Sequence, residues 1–131
     1  MASDKKYYRL FDANLNRCRE GLRVIEDTAR FVLDKEGIYL KARALRHKAD
    51  AATREIYPAL IAQRDSDSDS GRKLKESGRS GLKAVLAANF RRVEESLRVL
   101  EEYGKLISSS AGAKFKKIRF AAYILEKETL G

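Results

Sequence analysis

Placed on a helix at about 100° per residue, Leu15, Cys18, Leu22, Ile25 and Ala29 form one apolar stripe. Phe90, Val93, Leu97 and Leu100 form another on a later segment. Each segment carries a second apolar set, roughly 120–140° away by the same geometry: Val24, Thr28 and Phe31 in the first, Val99, Tyr103 and Leu106 in the second. The patterning predicts four helices. The first runs from about Asp12, a plausible N-cap, to about Asp34, with Lys35-Glu36-Gly37 as its stop. The second runs from about Ile38 to Tyr57, where Pro58 ends or kinks it. The third spans about Leu82 to Ile107. The fourth spans about Ala111 to Glu128, with Ser110 as a candidate cap.

The first and third helices repeat each other at an offset of 75 residues. Eight of fourteen positions are identical between Ala13–Glu26 and Ala88–Glu101, including Asn14/Asn89, Arg17/Arg92 and Glu20/Glu95. Leu45-Arg46 and Ile118-Arg119 extend the match weakly to the other two helices. The expected fold is all-α: one domain over 1–131, two helix pairs related by internal duplication, with halves at about 9–63 and 82–128 and a long loop at 64–81. Asn14, Arg17 and Gly21 lie in the arc between the two apolar sets, and Asn89, Arg92 and Ser96 lie in the matching arc. That arc is expected to be largely buried, and a buried guanidinium needs an anionic partner. Two readings stand: a structural network pinning the bundle, or a polar pocket where the repeats converge. Glu20, Arg23, Glu26 and their copies read instead as exposed i,i+3 and i,i+4 pairs.

Composition narrows the chemistry. No apolar run approaches the ~18 residues of a membrane span, and the charged N-terminus has no following apolar stretch, so neither a membrane segment nor a secretory signal is expected. The single Cys18 cannot make an internal disulfide, which fits a reducing, cytoplasmic setting, and its apolar face predicts a plain buried thiol. A net charge of +9 favours anionic partners. Nucleic acid is not favoured, because the aromatics sit mostly at core spacing and the exposed arginines alternate with glutamates.

The loop Arg64–Gly81 holds nine charged residues, five serines and three glycines, and structureless connections of this length are usually lids, binding loops or linkers. Asp65, Asp67, Asp69 and Glu76 match positions 1, 3, 5 and 12 of a calcium hand. However, Ser70 stands where its glycine belongs, and Arg72 and Lys73 follow. A phosphate-binding P-loop, a zinc-ligand set and a Ser-His-Asp signature are all absent, and the one histidine, His47, excludes most metal and triad chemistry.

Arg9–Arg17, Glu20–Asp27, Arg30-Phe31, Leu45-Arg46-His47, Arg64-Asp65, Asp69-Ser70-Gly71, Ala88–Arg92 and Glu95–Lys105 together resemble a known family. It is the small all-helical hydroxymethylpyrimidine phosphate kinase family of thiamine biosynthesis, a domain often fused in front of a thiamine-phosphate synthase barrel. The resemblance covers nearly the whole chain, apart from Arg72–Ser80. It implies ATP-dependent conversion of 4-amino-5-hydroxymethyl-2-methylpyrimidine phosphate to the diphosphate, with Mg²⁺ and ATP bound. The barrel is absent from this sequence, so a stand-alone protein or an excised domain is expected, with a thiamine-phosphate synthase as a partner. On the resemblance, Arg17 and Arg92, with Arg64, grip phosphate groups. Asn14 and Asn89, helped by Arg46 and His47, bind substrate, and Asp65 and Asp69 hold Mg²⁺ as the loop closes. The competing classes are a non-catalytic helical interaction module and a basic nucleic-acid binder. The halves could meet within one chain, or two chains of a homo-oligomer could share the site.

Overall fold

The computed structural model describes residues 2–76, 78–108 and 110–131. Among them it is all-α. The helices are α1 (Ala2–Asp27), α2 (Glu36–Thr53), α3 (Tyr57–Gln63), α4 (Leu82–Ile107) and α5 (Ala111–Leu130). The long helices α1 and α4 pack extensively on each other; α2 rests on α1, and α5 on α4 and α2. The main stripes are the core: Leu15, Cys18, Leu22, Ile25 and Ala29 of α1 and Phe90, Val93, Leu97 and Leu100 of α4 are buried. Phe11 of α1 meets Phe115 of α5 edge to face at 5.6 Å between centroids. Gly21 sets the distance of approach of α1 to α4, because a Cβ there would stand 2.7 Å from Val93 Cγ2 and 3.1 Å from the Asn89 carbonyl oxygen.

Several boundaries differ from the pattern. Helix α1 starts ten residues before Asp12. Asp12 is not a cap: it is buried within the helix and accepts from Arg64 Nε at 2.7 Å and Nη2 at 2.8 Å. That contact lifts the Arg64 pKa above its ordinary value. The chain leaves α1 through a widened π turn, Thr28–Val32. The turn stops at Asp34, whose φ is 52°, rather than at Gly37, which lies in α2. Pro58 neither ends nor kinks a long second helix: it sits in the first turn of the separate α3, where its missing N–H costs nothing. Ser110 occupies the N-cap position of α5 but makes no side-chain cap; the Ser108 hydroxyl accepts from the Ala111 amide instead, at 3.1 Å. The connection after α3 is not wholly structureless, since Ser70–Lys73 form a 3₁₀ turn capped by Asp69.

The larger correction concerns charge. Glu26 and Glu101 are buried, not exposed. Glu26 accepts from Arg46 Nε at 2.8 Å and Nη2 at 3.2 Å, which clasps α1 to α2. Glu101 accepts from Arg119 Nε at 2.8 Å, which clasps α4 to α5. Each arginine pKa is raised, chiefly by its carboxylate hydrogen bond. On the wheel Glu26 lies only about 40° from Leu22, so it borders the core and faces the neighbouring helix. The second apolar sets are in turn largely outside: Val24, Phe31 and Leu106 are exposed, and so are the aromatics Phe120 and Tyr123.

Each carboxylate is buried but its arginine keeps solvent contact, so removing the carboxylate loses a charge-assisted hydrogen bond worth about 1.5–3 kcal/mol. Glu26→Ala and Glu101→Ala should each lower the unfolding free energy by that order. The doubles Glu26→Leu/Arg46→Leu and Glu101→Leu/Arg119→Leu should lose far less; chemical denaturation checks both.

Glu94, buried on α4, behaves differently from these pairs. Burial first, and then the hydrogen bond and charge of Glu126, push its carboxyl up to about 8, against a smaller pull from Arg91. The native state therefore keeps a proton that the unfolded chain has already released. The resulting stability is full below the ordinary carboxylate value and is lost as pH rises through about 8. Relative to wild type, Glu94→Gln should gain unfolding free energy from about pH 5 up to about 8 and level off above that. A pH-independent difference in denaturation midpoints would contradict this.

Candidate functional site

The arc carrying the repeated Asn and Arg is the wall of an open cleft between α1 and α4: Asn14, Gly21 and Ser96 of that arc are buried as expected, Asn89 and Arg92 are half-buried, and Arg17 is exposed. The cleft encloses about 750 Å³. Asn14, Arg17, Glu20 and Val24 line it from α1, and Ala88, Asn89, Arg91, Arg92, Glu95, Ser96 and Val99 from α4. Glu76 and Arg79 reach it from the connecting segment. One chain thus brings both repeats to one place.

The two asparagines are held alike. Asn14 Nδ2 donates to the Leu10 carbonyl at 2.9 Å, and Asn89 Nδ2 to the Val85 carbonyl at 2.8 Å. Each amide is tied one turn back along its own helix, which fixes its rotamer. Arg17 is exposed and makes a long contact to Asn14 Oδ1, 3.4 Å from Nη1. Arg92 stands 3.7 Å from both Glu20 and Glu76. These are loose, partly solvated contacts, each worth at most about 1 kcal/mol, so an incoming phosphate can replace them with shorter charge-assisted bonds. The cleft sets four arginines (Arg17, Arg79, Arg91, Arg92) against three glutamates (Glu20, Glu76, Glu95).

The other expected residues lie elsewhere. Arg64 is engaged by Asp12 and Arg46 by Glu26, so neither guanidinium fork is open to a ligand as it stands. Arg46 does line a side cavity of about 340 Å³ with Asn16, Arg19, Glu20 and Arg23, and Glu20 borders both this cavity and the cleft. His47 is exposed on α2. Asp65 and Asp69 are exposed and do not line the cleft; their carboxylates cap the turn, accepting from the amides of Ser68 at 3.2 Å and Gly71 at 2.9 Å. Among the described residues no group of three His, Cys, Asp or Glu side chains converges as a metal site. Cys18 is buried, and burial pushes its thiol up to about 12, so it is no nucleophile. Arg91, Arg79 and Glu76 were not legible as site residues. Arg91 stands where the first repeat has Asn16, and the other two lie in the unrepeated segment.

Residues 9–128 match the model of the ThiD2 family. The chain belongs to the ThiD2 family. Its relatives include proteins named thiamine-phosphate synthase. That of Nostoc punctiforme is 43% identical over 127 residues, covering 95% of this chain and 35% of that protein. That of Synechocystis sp. is 43% identical over 133 residues, covering 99% and 38%. That of Rhodopirellula baltica is 36% identical over 131 residues, covering 97% and 35%. The chain spans about a third of the length of these relatives, so it matches their ThiD2-like portion and not their whole. No solved structure matches it. No helix among the described residues is long and apolar enough to cross a membrane.

Proposed function

We propose that this chain is an ATP-dependent kinase of thiamine biosynthesis that converts 4-amino-5-hydroxymethyl-2-methylpyrimidine phosphate to the diphosphate. The observation that carries the reading is the meeting of Arg17 and Arg92, with Asn14 and Asn89, in one cleft of a chain whose relatives are named for thiamine-phosphate synthesis. A synthase consuming the diphosphate is the natural partner, and the buried thiol suits a cytoplasmic setting.

The acceptor is itself a phosphate with a second pKa near 6, so at neutral pH it arrives as a dianion and needs no general base. One of its oxygens attacks the γ-phosphorus of ATP. The bond from the γ-phosphorus to the β,γ-bridging oxygen breaks, and ADP leaves with that electron pair. The difficulty is bringing two polyanions together, so catalysis is positioning and charge neutralisation. Arg17 and Arg92 hold the acceptor phosphate. The Oδ1 atoms of Asn14 and Asn89, whose amide nitrogens are already committed to the backbone, accept from the aminopyrimidine. The polyphosphate of ATP extends past Glu20 toward Arg19 and Arg23 in the adjoining cavity. Mg²⁺ is usually held by one or two carboxylates plus substrate phosphates. Glu20, Glu76 and Glu95 in the cleft suit that role without a preformed cage, and Asp65 and Asp69 would serve only after the segment that bears them closes. When bound, Mg²⁺ would supply charge neutralisation at the phosphates.

Incubation with the pyrimidine monophosphate, ATP and Mg²⁺, followed by anion-exchange chromatography, should yield the diphosphate and ADP. Arg17→Ala and Arg92→Ala, both at solvent-facing positions, should keep the wild-type melting temperature. Each should lose about 10²-fold in kcat/KM, the order of one lost charge-stabilising donor. Well-folded wild-type protein that makes no diphosphate would refute the reading.

A further inference from the structure

A second concavity opens on the side of the bundle formed by α2 and α5. It shares no lining residue with the cleft. Its volume is about 330 Å³, and its floor is apolar, built from Leu45 and Ala52 of α2 and Ile118 and Ala121 of α5. Leu45 and Ile118 are the apolar halves of the matched Leu45-Arg46 and Ile118-Arg119 steps. The arginines beside them turn the other way, to Glu26 and Glu101, so the floor keeps no polar group of its own.

The rim is cationic and uncompensated. Lys48 of α2 and Lys114 and Lys117 of α5 line the groove, and no Asp or Glu does. Among the described residues none of the three lysines forms an ion pair, although Lys41 and Glu128 pair between the same two helices at 2.7 Å. With a net charge of +9 the surface carries other cations without an ion pair; what sets these three apart is that they ring an apolar floor with no carboxylate lining it. Three ammonium groups around an apolar floor are complementary to an acid group joined to an apolar body. The volume lies at the small-molecule end of ligand pockets and is too short for a docked helix, which needs anchors spread over several turns.

We propose that this groove binds a small aromatic acid. The ring lies on Leu45 and Ile118, and the carboxylate, sulfonate or phosphate meets Lys48, Lys114 and Lys117. The lysine stems extend the apolar walls while their heads reach the acid group. This site is independent of the kinase reading and stands or falls separately from it.

The test is a fluorescence titration of the full chain with 8-anilinonaphthalene-1-sulfonate, an aromatic sulfonate, in the presence of millimolar inorganic phosphate. The expected result is saturable one-to-one binding that phosphate does not displace. Lys114→Glu/Lys117→Glu should weaken it at least about tenfold, Lys48→Glu from the opposite wall should weaken it too, and Ala121→Phe should abolish it by filling the floor with the charges intact. Arg17→Ala should leave it unchanged. Circular dichroism melts confirm that each variant is folded, and the two charge variants on separate helices replace one another if one fails. Affinity unaltered in the charge variants, retention in Ala121→Phe, or loss in Arg17→Ala would overturn the proposal. So would exclusion of the dye at high protein concentration together with a dimer mass in sedimentation, which would make a second copy the occupant.

Discussion

The arrangement depends on two buried carboxylate–guanidinium clasps, Glu26–Arg46 and Glu101–Arg119. Apolar stripes bring helices together but tolerate sliding and rotation, because the hydrophobic effect is non-directional. A hydrogen-bonded arginine–carboxylate contact is directional, so each clasp fixes the rotation of its helix pair: α1 on α2, α4 on α5. With α1 and α4 fixed in this way, their Asn/Arg faces point at each other across the gap that Gly21 sets. The clasps brace each wall of the cleft from its own partner helix, while the apolar stripes and Gly21 join the two walls.

Charge is divided accordingly. Some arginines are spent on holding the molecule: Arg46 and Arg119 in the clasps, and Arg64 on Asp12, which ties the end of α3 to α1. Others remain loosely engaged. Among the described residues Arg17 reaches only a side-chain amide, and Arg92 has two carboxylates at 3.7 Å. The same residue type thus serves two ends, and the distance to the nearest carboxylate separates them. Asn14 and Asn89 bridge the two roles: their nitrogens anchor to the backbone, and both residues line the cleft.

Much of this was readable from the sequence where periodicity is long and its ends are marked. Helix α4 runs from Leu82 to Ile107 as its stripe predicts, with Gly81 at φ 119° before it. The main stripes are the core without exception. The start of α1 was hidden because Asp12 has the chemistry of a cap, and its true partner is 52 residues away. Glu26 was misplaced for a related reason. Arg23 is an adequate local partner at i−3, so the pattern gives no hint that the stronger bond comes from another helix. For the site, recurrence singled out Arg17 and Arg92, and the structure brings them to one cleft, whose asparagine and serine wall is buried while the two guanidinium groups reach solvent. The roles of Arg64 and Arg46 came from the resemblance, and Asp65 and Asp69 stood out by their spacing in the loop as well; here each is occupied with a fold contact or a turn. Local pattern cannot reveal which of many arginines a distant carboxylate has already claimed.

The central claim is that both halves act on one anion. Calorimetric titration of the pyrimidine monophosphate into wild type, Arg17→Ala, Arg92→Ala and the double variant tests it most directly. The account predicts one site per chain, a loss of affinity in each single variant, and a double variant that loses less than the sum, because the two guanidinium groups share a ligand. Unchanged affinity in either single variant, or two independent sites whose losses add, would contradict it.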